Sequence, residues 1–309
     1  PSQPTAGSPF HRLLAPRAGA WWRLLLSAAL GVAGLVVMST LCAIAVLLVA
    51  RQVGFPDFEF DFSDGIDAGE MLATNAGLAC LIAVAAGLAR LLYGVRLRWL
   101  SSNRPGLRWS WLATCIAIAA VVWSLFLVVG SAGAYLNRST PVDAGVLSFL
   151  LVVLATTPLQ AAGEEYLFRG LLLQGLGAVR LPTWACCLGS GALFATAHLQ
   201  FAPALFADRL LLGAVLAWLA IRTGGLEAGI AIHTVKNVAV LIPAGLLETV
   251  NDALDPTGVT WLPLIIDGVL LSIAVPWIVR VSTRRAPRAP ALLPVPPYPP
   301  PPSGGALRP

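Results

Sequence analysis

The chain has 309 residues, of which 57% are hydrophobic and 11% charged, against roughly 25% charged residues in a soluble domain. So few charges cannot cover a water-facing surface, which excludes a soluble globular fold and leaves lipid as the solvent of most of the exterior. The net charge of +5 comes from arginines in loops and tails between apolar runs, without the interleaved aromatics of a nucleic-acid groove, so it sets orientation in a membrane and implies no nucleic-acid partner.

A membrane-spanning helix needs about 20 mostly apolar residues. By that measure the chain reads as an all-α, polytopic transmembrane helical bundle of about eight spans: 21–50, 71–93, 109–136, 145–179, 182–202, a short 209–222, 226–247 and 261–281. The first run exceeds the roughly 7–15 residues of a signal-peptide core and reads as a retained span. Arg12, Arg17 and Arg23 precede it; Arg96, Arg98, Arg104 and Arg108 fill the second loop; Arg180, Arg222, and Arg280, Arg284, Arg285 and Arg288 mark later turns. Eight spans place all of these on one side and Asp57, Glu59, Asp61, Asp64, Asp67, Glu70, Glu248, Asp252 and Asp255 on the other. The positive-inside rule then predicts an integral protein of the cell membrane with both termini cytoplasmic. Trp21, Trp22, Trp109, Trp111 and Trp261 stand at span ends, as interfacial aromatics do.

Gly145 to Val179 is too long for a single straight crossing. Its 35 residues would extend about 52 Å at 1.5 Å per residue, beyond a hydrocarbon core of roughly 30 Å. The segment must tilt, kink or break, and Pro158 is the expected place. The five cysteines, Cys42, Cys80, Cys115, Cys186 and Cys187, all lie in apolar runs, and their odd number without CxxC spacing argues for buried packing rather than a disulfide framework or zinc knuckle. The expected organisation is a cytoplasmic segment 1–20, helices over 21–143, a core over 144–247, a loop and last helix over 248–281, and a disordered basic, Pro-rich tail over 282–309.

Ionisable residues inside apolar runs are costly, so each is a functional candidate. Spans one to three contain almost none. Glu164 and Glu165 begin the first cluster; Glu165 and Arg169 are i and i+4 and face each other, whereas Glu164 is rotated about 100° away with no partner in its own helix. That suits a general base; a structural ion pair beside a polar loop is the plainer reading. His198 ends the apolar run containing Phe194, where a hydrogen bond to a carbonyl is the ordinary role. His233 and Asn237 share one helical face, with Lys236 off it, snorkelling or paired with a carboxylate; helix packing is the plainer role for Asn237. Convergence of these groups on one site is the more economical account. With no GxSxG serine, a Glu and a His can activate water while a His and an Asn stabilise an oxyanion, the two functions that peptide hydrolysis needs. Alternatively, Glu164, His198 and His233 form a His2Glu set of the catalytic zinc kind, though no HExxH helix is present.

The strings EExxxR (Glu164, Glu165, Arg169), FxxxH (Phe194, His198) and HxxxN (His233, Asn237), in this order on successive apolar helices, resemble the CPBP family, which contains the CAAX prenyl proteases of the Rce1 type and bacterial relatives called Abi proteins. The link from Arg222 through Gly225 and Gly229 to His233 resembles the family's approach to its third motif. The resemblance covers about 145–247. It implies an all-helical intramembrane endopeptidase in which Glu164 and His198 activate the attacking water, His233 and Asn237 stabilise the oxyanion, and Glu165 and Arg169 hold the geometry. The family is widely labelled a metalloprotease, and a metal-free glutamate mechanism is also proposed for it; Asn237, a good amide donor and a poor zinc ligand, favours the version without a cofactor. A membrane-associated CAAX-like or leader peptide would be the substrate partner. The competing readings are a non-proteolytic scaffold or immunity protein of the same family, and a transporter or proton relay, which would usually carry an internal repeat that this sequence does not show.

Overall fold

The computed structural model describes residues 7–15, 21–54, 59–61, 66–137, 141–247 and 259–285. The Pro-rich tail, and the acidic positions Asp57, Asp64, Glu248, Asp252 and Asp255, lie outside the described residues. Among the described residues the chain is helical with no strand. The helices are α1 (Trp21–Gln52), α2 (Ala68–Ala79), α3 (Leu81–Tyr93), α4 (Arg98–Ser101), α5 (Trp109–Leu136), α6 (Ala144–Glu165), α7 (Leu173–Ala178), α8 (Thr183–Ala197), α9 (Pro203–Thr223), α10 (Glu227–Leu247) and α11 (Leu262–Arg285). A 3-10 turn, Phe10–Arg12, precedes α1, and a π-helical segment, Tyr166–Leu172, joins α6 to α7.

Seven of these stretches are long and apolar enough to cross a membrane, α2 with α3 and α6 through α7 each counting as one. The expected eighth, 182–202, is shorter than its hydropathy implies. Helix α8 has 15 residues, about 22 Å at 1.5 Å per residue. It stops at His198, and Leu199 takes a left-handed φ of 55°. Pro203 then starts α9, where its fixed φ and missing N–H suit the first turn. Helix α9 is correspondingly longer than the predicted 209–222. The two form a close hairpin because Gly191 and Gly213 let their backbones touch: a Cβ on Gly213 would lie 2.6 Å from the Gly191 Cα. Such small-residue contacts replace the hydrophobic drive that lipid removes.

The expected interruption at Pro158 is also corrected. Helix α6 runs through Pro158 without a break. The helix departs from α geometry further on, widening over Tyr166–Leu172 before it continues as α7 to Ala178, a π geometry often found at functional sites. Its carbonyls keep partners: Ser190 Oγ donates to the Phe168 carbonyl at 3.1 Å. Tyr166 Oη and Ser101 Oγ share a hydrogen bond of 2.7 Å, and Gln174 Nε2 donates to the Trp99 carbonyl, which ties this stretch to α4.

One end of the bundle gathers the arginines. Asn103 N–H donates to the Gly224 carbonyl at 2.8 Å. Arg108 forks onto Glu227, with Nε–Oε1 2.9 Å and Nη2–Oε2 2.7 Å, and its Nη1 donates to the Thr223 carbonyl. The 3-10 turn contacts α7 and α9 at the same end, with Phe10, Leu13 and Leu14 buried. Lys236 of α10 reaches Asp208 of α9 at 3.0 Å and also Asp267 of α11. This brings the starts of α9 and α11 together, so the two helices run parallel and the arginine-bearing end of α11 lies at the Arg222 end of α9.

That lysine clip gives a stability prediction. Removing one partner of a buried ion set leaves uncompensated charge, at a cost of about 3–5 kcal/mol. Lys236→Ala is therefore expected to lower the melting temperature in detergent strongly, while Lys236→Met combined with Asp208→Asn and Asp267→Asn recovers most of the loss. Equal melting temperatures for the single substitution and the parent would contradict the role of the clip.

Candidate functional site

Helices α6 and α10 lie antiparallel and meet through two polar rungs, each one helical turn from the next. In the first, His233 Nε2 is 3.2 Å from Glu164 Oε2. In the second, Asn237 Nδ2 donates to Gln160 Oε1 at 3.0 Å. The i, i+4 spacing on both helices makes this ladder: Gln160 stands to Glu164 as Asn237 stands to His233.

Glu165 closes the set from behind. Arg169 Nη1 donates to Glu165 Oε1 at 2.8 Å, and both side chains are fully buried. His233 Nδ1 lies 3.1 Å from the same Oε1. One imidazole therefore stands between the two adjacent carboxylates, hydrogen-bonded to Glu165 through Nδ1 and within ion-pair distance of Glu164 through Nε2. Such an arrangement is available because Glu164 and Glu165 are separated by one step of the helical screw. Among the described residues, buried Glu164 Oε2, Glu165 Oε2, and Arg169 Nε and Nη2 have no hydrogen-bond partner.

Phe194 is the wedge of the site. Its ring meets Phe168, His198 and His233 edge-on, with centroids 5.3, 4.7 and 5.7 Å apart. The Arg169 guanidinium stands over it at 4.4 Å, a cation–π contact of the kind that gains strength when desolvated. His198 caps α8 and turns Nδ1 to the Phe194 carbonyl at 2.8 Å. A carbonyl only accepts, so Nδ1 carries the proton and Nε2 of the neutral ring keeps its lone pair. His198 interacts electrostatically with Glu164 and His233. It is half-buried, whereas Glu164 and His233 are only 7% and 3% exposed, so the cluster is most open on the α8–α9 loop side.

The structure thus brings together Glu164, Glu165, Arg169, Phe194, His198 and His233. Asn237 lies one turn along α10, with its amide engaged by Gln160. Lys236 points to the flank of that face, paired with Asp208 and Asp267 rather than snorkelling. Gln160 escaped the sequence reading because an uncharged amide in an apolar run is a weak signal; its position four residues before Glu164 would have been the clue.

Zinc coordination does not fit the cluster as arranged. Among the described residues no three His, Cys, Asp or Glu side chains converge as a metal ion requires. Of the expected donors Glu164, His198 and His233, only His198 keeps a ring nitrogen, Nε2, away from a carboxylate; His233 has both nitrogens against carboxylates.

Residues 145–239 match the family model described as type II CAAX prenyl endopeptidase Rce1-like. The match takes in Glu164, Glu165, Arg169, Phe194, His198, His233 and Asn237 and covers under a third of the 309 residues. A search of curated proteins found no match.

Close approach of α10 to the carboxylate pair depends on Gly229. A Cβ there would sit 2.6 Å from Glu165 Oε2, and Glu165 is pinned by both Arg169 and His233. Gly229→Ala is expected to destabilise the protein by about 1–3 kcal/mol through overpacking. Gly133→Ala, where an added Cβ meets nothing within 4 Å, is expected to be neutral or slightly stabilising through helix propensity. Thermal unfolding of the two variants side by side checks the contrast.

Proposed function

With residues 145–239 Rce1-like and their motif side chains gathered into one buried cluster, we propose that the chain is an intramembrane endopeptidase that hydrolyses a peptide bond near the membrane surface with a water activated by Glu164 and His198. The observation that carries this reading is the bridging of Glu164 and Glu165 by the two nitrogens of His233. A polar cluster serving only to pack helices has no need of two adjacent carboxylates on one imidazole, since every ion taken from water adds desolvation cost.

In this reading His233 Nε2 carries a proton and faces Glu164 at 3.2 Å. The water sits between Glu164 and His198 Nε2. It gives a proton to this pair as its oxygen bonds to the scissile carbonyl carbon. The carbonyl oxygen becomes the oxyanion and accepts hydrogen bonds from the His233 Nε2–H, which turns from Glu164 to it, and from Asn237, whose amide turns away from Gln160. The C–N bond then breaks, and the departing nitrogen takes the proton that came from water. Glu165 and Arg169 do not touch the substrate; they fix the ring plane of His233, as preorganised catalysis demands. No metal is used.

We place both termini and the arginine-rich end on the cytoplasmic side of the cell membrane, with the short α8, packed along α9, serving as the eighth crossing; the basis is the one-sided collection of Arg12, Arg98, Arg104, Arg108, Arg180 and Arg222. The substrate in this reading is a membrane-associated CAAX-like or leader peptide.

The reading is tested with purified protein in nanodiscs and a fluorogenic S-farnesylated CAAX-type peptide. Glu164→Gln and His198→Ala are each expected to lower kcat by at least about 10²–10⁴-fold, the range for losing a positioned general acid or base, with melting temperatures near that of the parent. Retained cleavage in both variants would remove the proposed site.

A further inference from the structure

Beside the cluster stands a cation that the mechanism above does not use. Arg209 lies in the second turn of α9, where its neighbour Asp208 is occupied by Lys236. Arg209 Nη2 donates to Gln200 Oε1 at 2.5 Å, linking it to the loop that follows His198. Its Nη1 is buried with no hydrogen-bond partner among the described residues. The guanidinium interacts electrostatically with Asp208 first and with Glu164 second, and its bond to Gln200, two residues past His198, places it on the side where His198 leaves the site most open.

A buried guanidinium donor without an acceptor is expensive, and more so in an apolar bundle than in water. The planar fork of arginine matches a carboxylate with two parallel hydrogen bonds. Gln200 occupies Nη2 and leaves Nη1 for another acceptor. Glu164, in the proposed mechanism, must exchange protons with water and is not available as a permanent partner.

We propose that Arg209 is a specificity-determining residue that binds a carboxylate of the substrate peptide and so sets the scissile bond against Glu164 and His198. This rests on the endopeptidase reading. The anion is either the peptide's C-terminal carboxylate or an acidic side chain close to the cut; both present the same planar acceptor. Residues 199–209, between the motif histidine and this arginine, form the substrate's docking edge.

Binding can be read without turnover in the Glu164→Gln protein, reconstituted in nanodiscs. Three fluorescent S-farnesylated peptides serve as probes: one ending in Cys-Val-Leu-Ser as the free acid, the same peptide as its C-terminal amide, and an amide ending in Cys-Val-Asp-Ser. The free acid is expected to bind at least about tenfold tighter than the first amide, as loss of a desolvated charge-pair partner implies. Adding Arg209→Gln is expected to erase that difference, and Arg209→Lys to keep part of it, because the charge remains while the fork is lost. Recovery of tight binding by the Asp-containing amide assigns the anion to a side chain; failure to recover assigns it to the C-terminus. Equal binding of all three peptides, or an acid preference that survives Arg209→Gln in a protein with an unchanged melting temperature, overturns the proposal. If the free acid binds through Arg209 but the unsubstituted protein leaves it uncut, the endopeptidase reading fails and the carboxylate site stands.

Discussion

A carboxylate cannot stay charged in an apolar bundle without a cation against it. Glu165 meets this condition with Arg169 from its own helix, and the same Glu165 oxygen holds the His233 ring from α10. The other ring nitrogen then faces Glu164. The chain of contacts Arg169–Glu165–His233–Glu164 therefore both neutralises the site and locks α6 to α10. Breaking the Arg169–Glu165 or Glu165–His233 link leaves a buried charge without a partner, so the stability of the bundle and the geometry of the proposed site rest on the same few atoms.

The remaining helices hold that chain in register. Arg108, placed just ahead of α5, forks onto Glu227 in the first turn of α10, fixing the axial position of His233 two turns later. Lys236, on the flank of the His233 face of α10, draws in α9 and α11 through Asp208 and Asp267. Helix α10 is thus held by charged pairs at its start and middle. These contacts come from elements outside as well as inside the Rce1-like segment 145–239: Arg108 and Asp267 lie beyond its bounds. Phe194 completes the arrangement by separating His198 from His233 while supporting Arg169 from its face.

Much of this was legible in the residues. Long apolar runs announce crossing helices because lipid demands them, and ionisable residues inside such runs stand out because lipid penalises them. The i, i+4 rule alone placed Glu165 against Arg169. Other features were hidden for physical reasons. The end of α8 is set by a left-handed Leu199 and by Pro203, while hydropathy continues through 202. Pro158 looked like a break, yet membrane helices absorb proline when surrounding groups compensate, and the departure from α geometry came instead in a π segment with no sequence signature. Gln160 and Arg209 belong to none of the recognised strings; their roles come from partners brought in by helices α10 and α8–α9, which spacing within one helix does not reveal.

Hydrolysis by an activated water differs from attack by Glu164 itself in the origin of one oxygen atom. Both use the same residues at the same distances, so substitution alone does not separate them. The direct measurement is a single turnover in ¹⁸O-labelled water with protein in excess over peptide, followed by mass spectrometry of the new carboxyl terminus and of the protein. The account predicts one ¹⁸O atom in the released carboxylate on the first turnover and an unlabelled Glu164. A first-turnover product containing only ¹⁶O, with the label in Glu164, would contradict it.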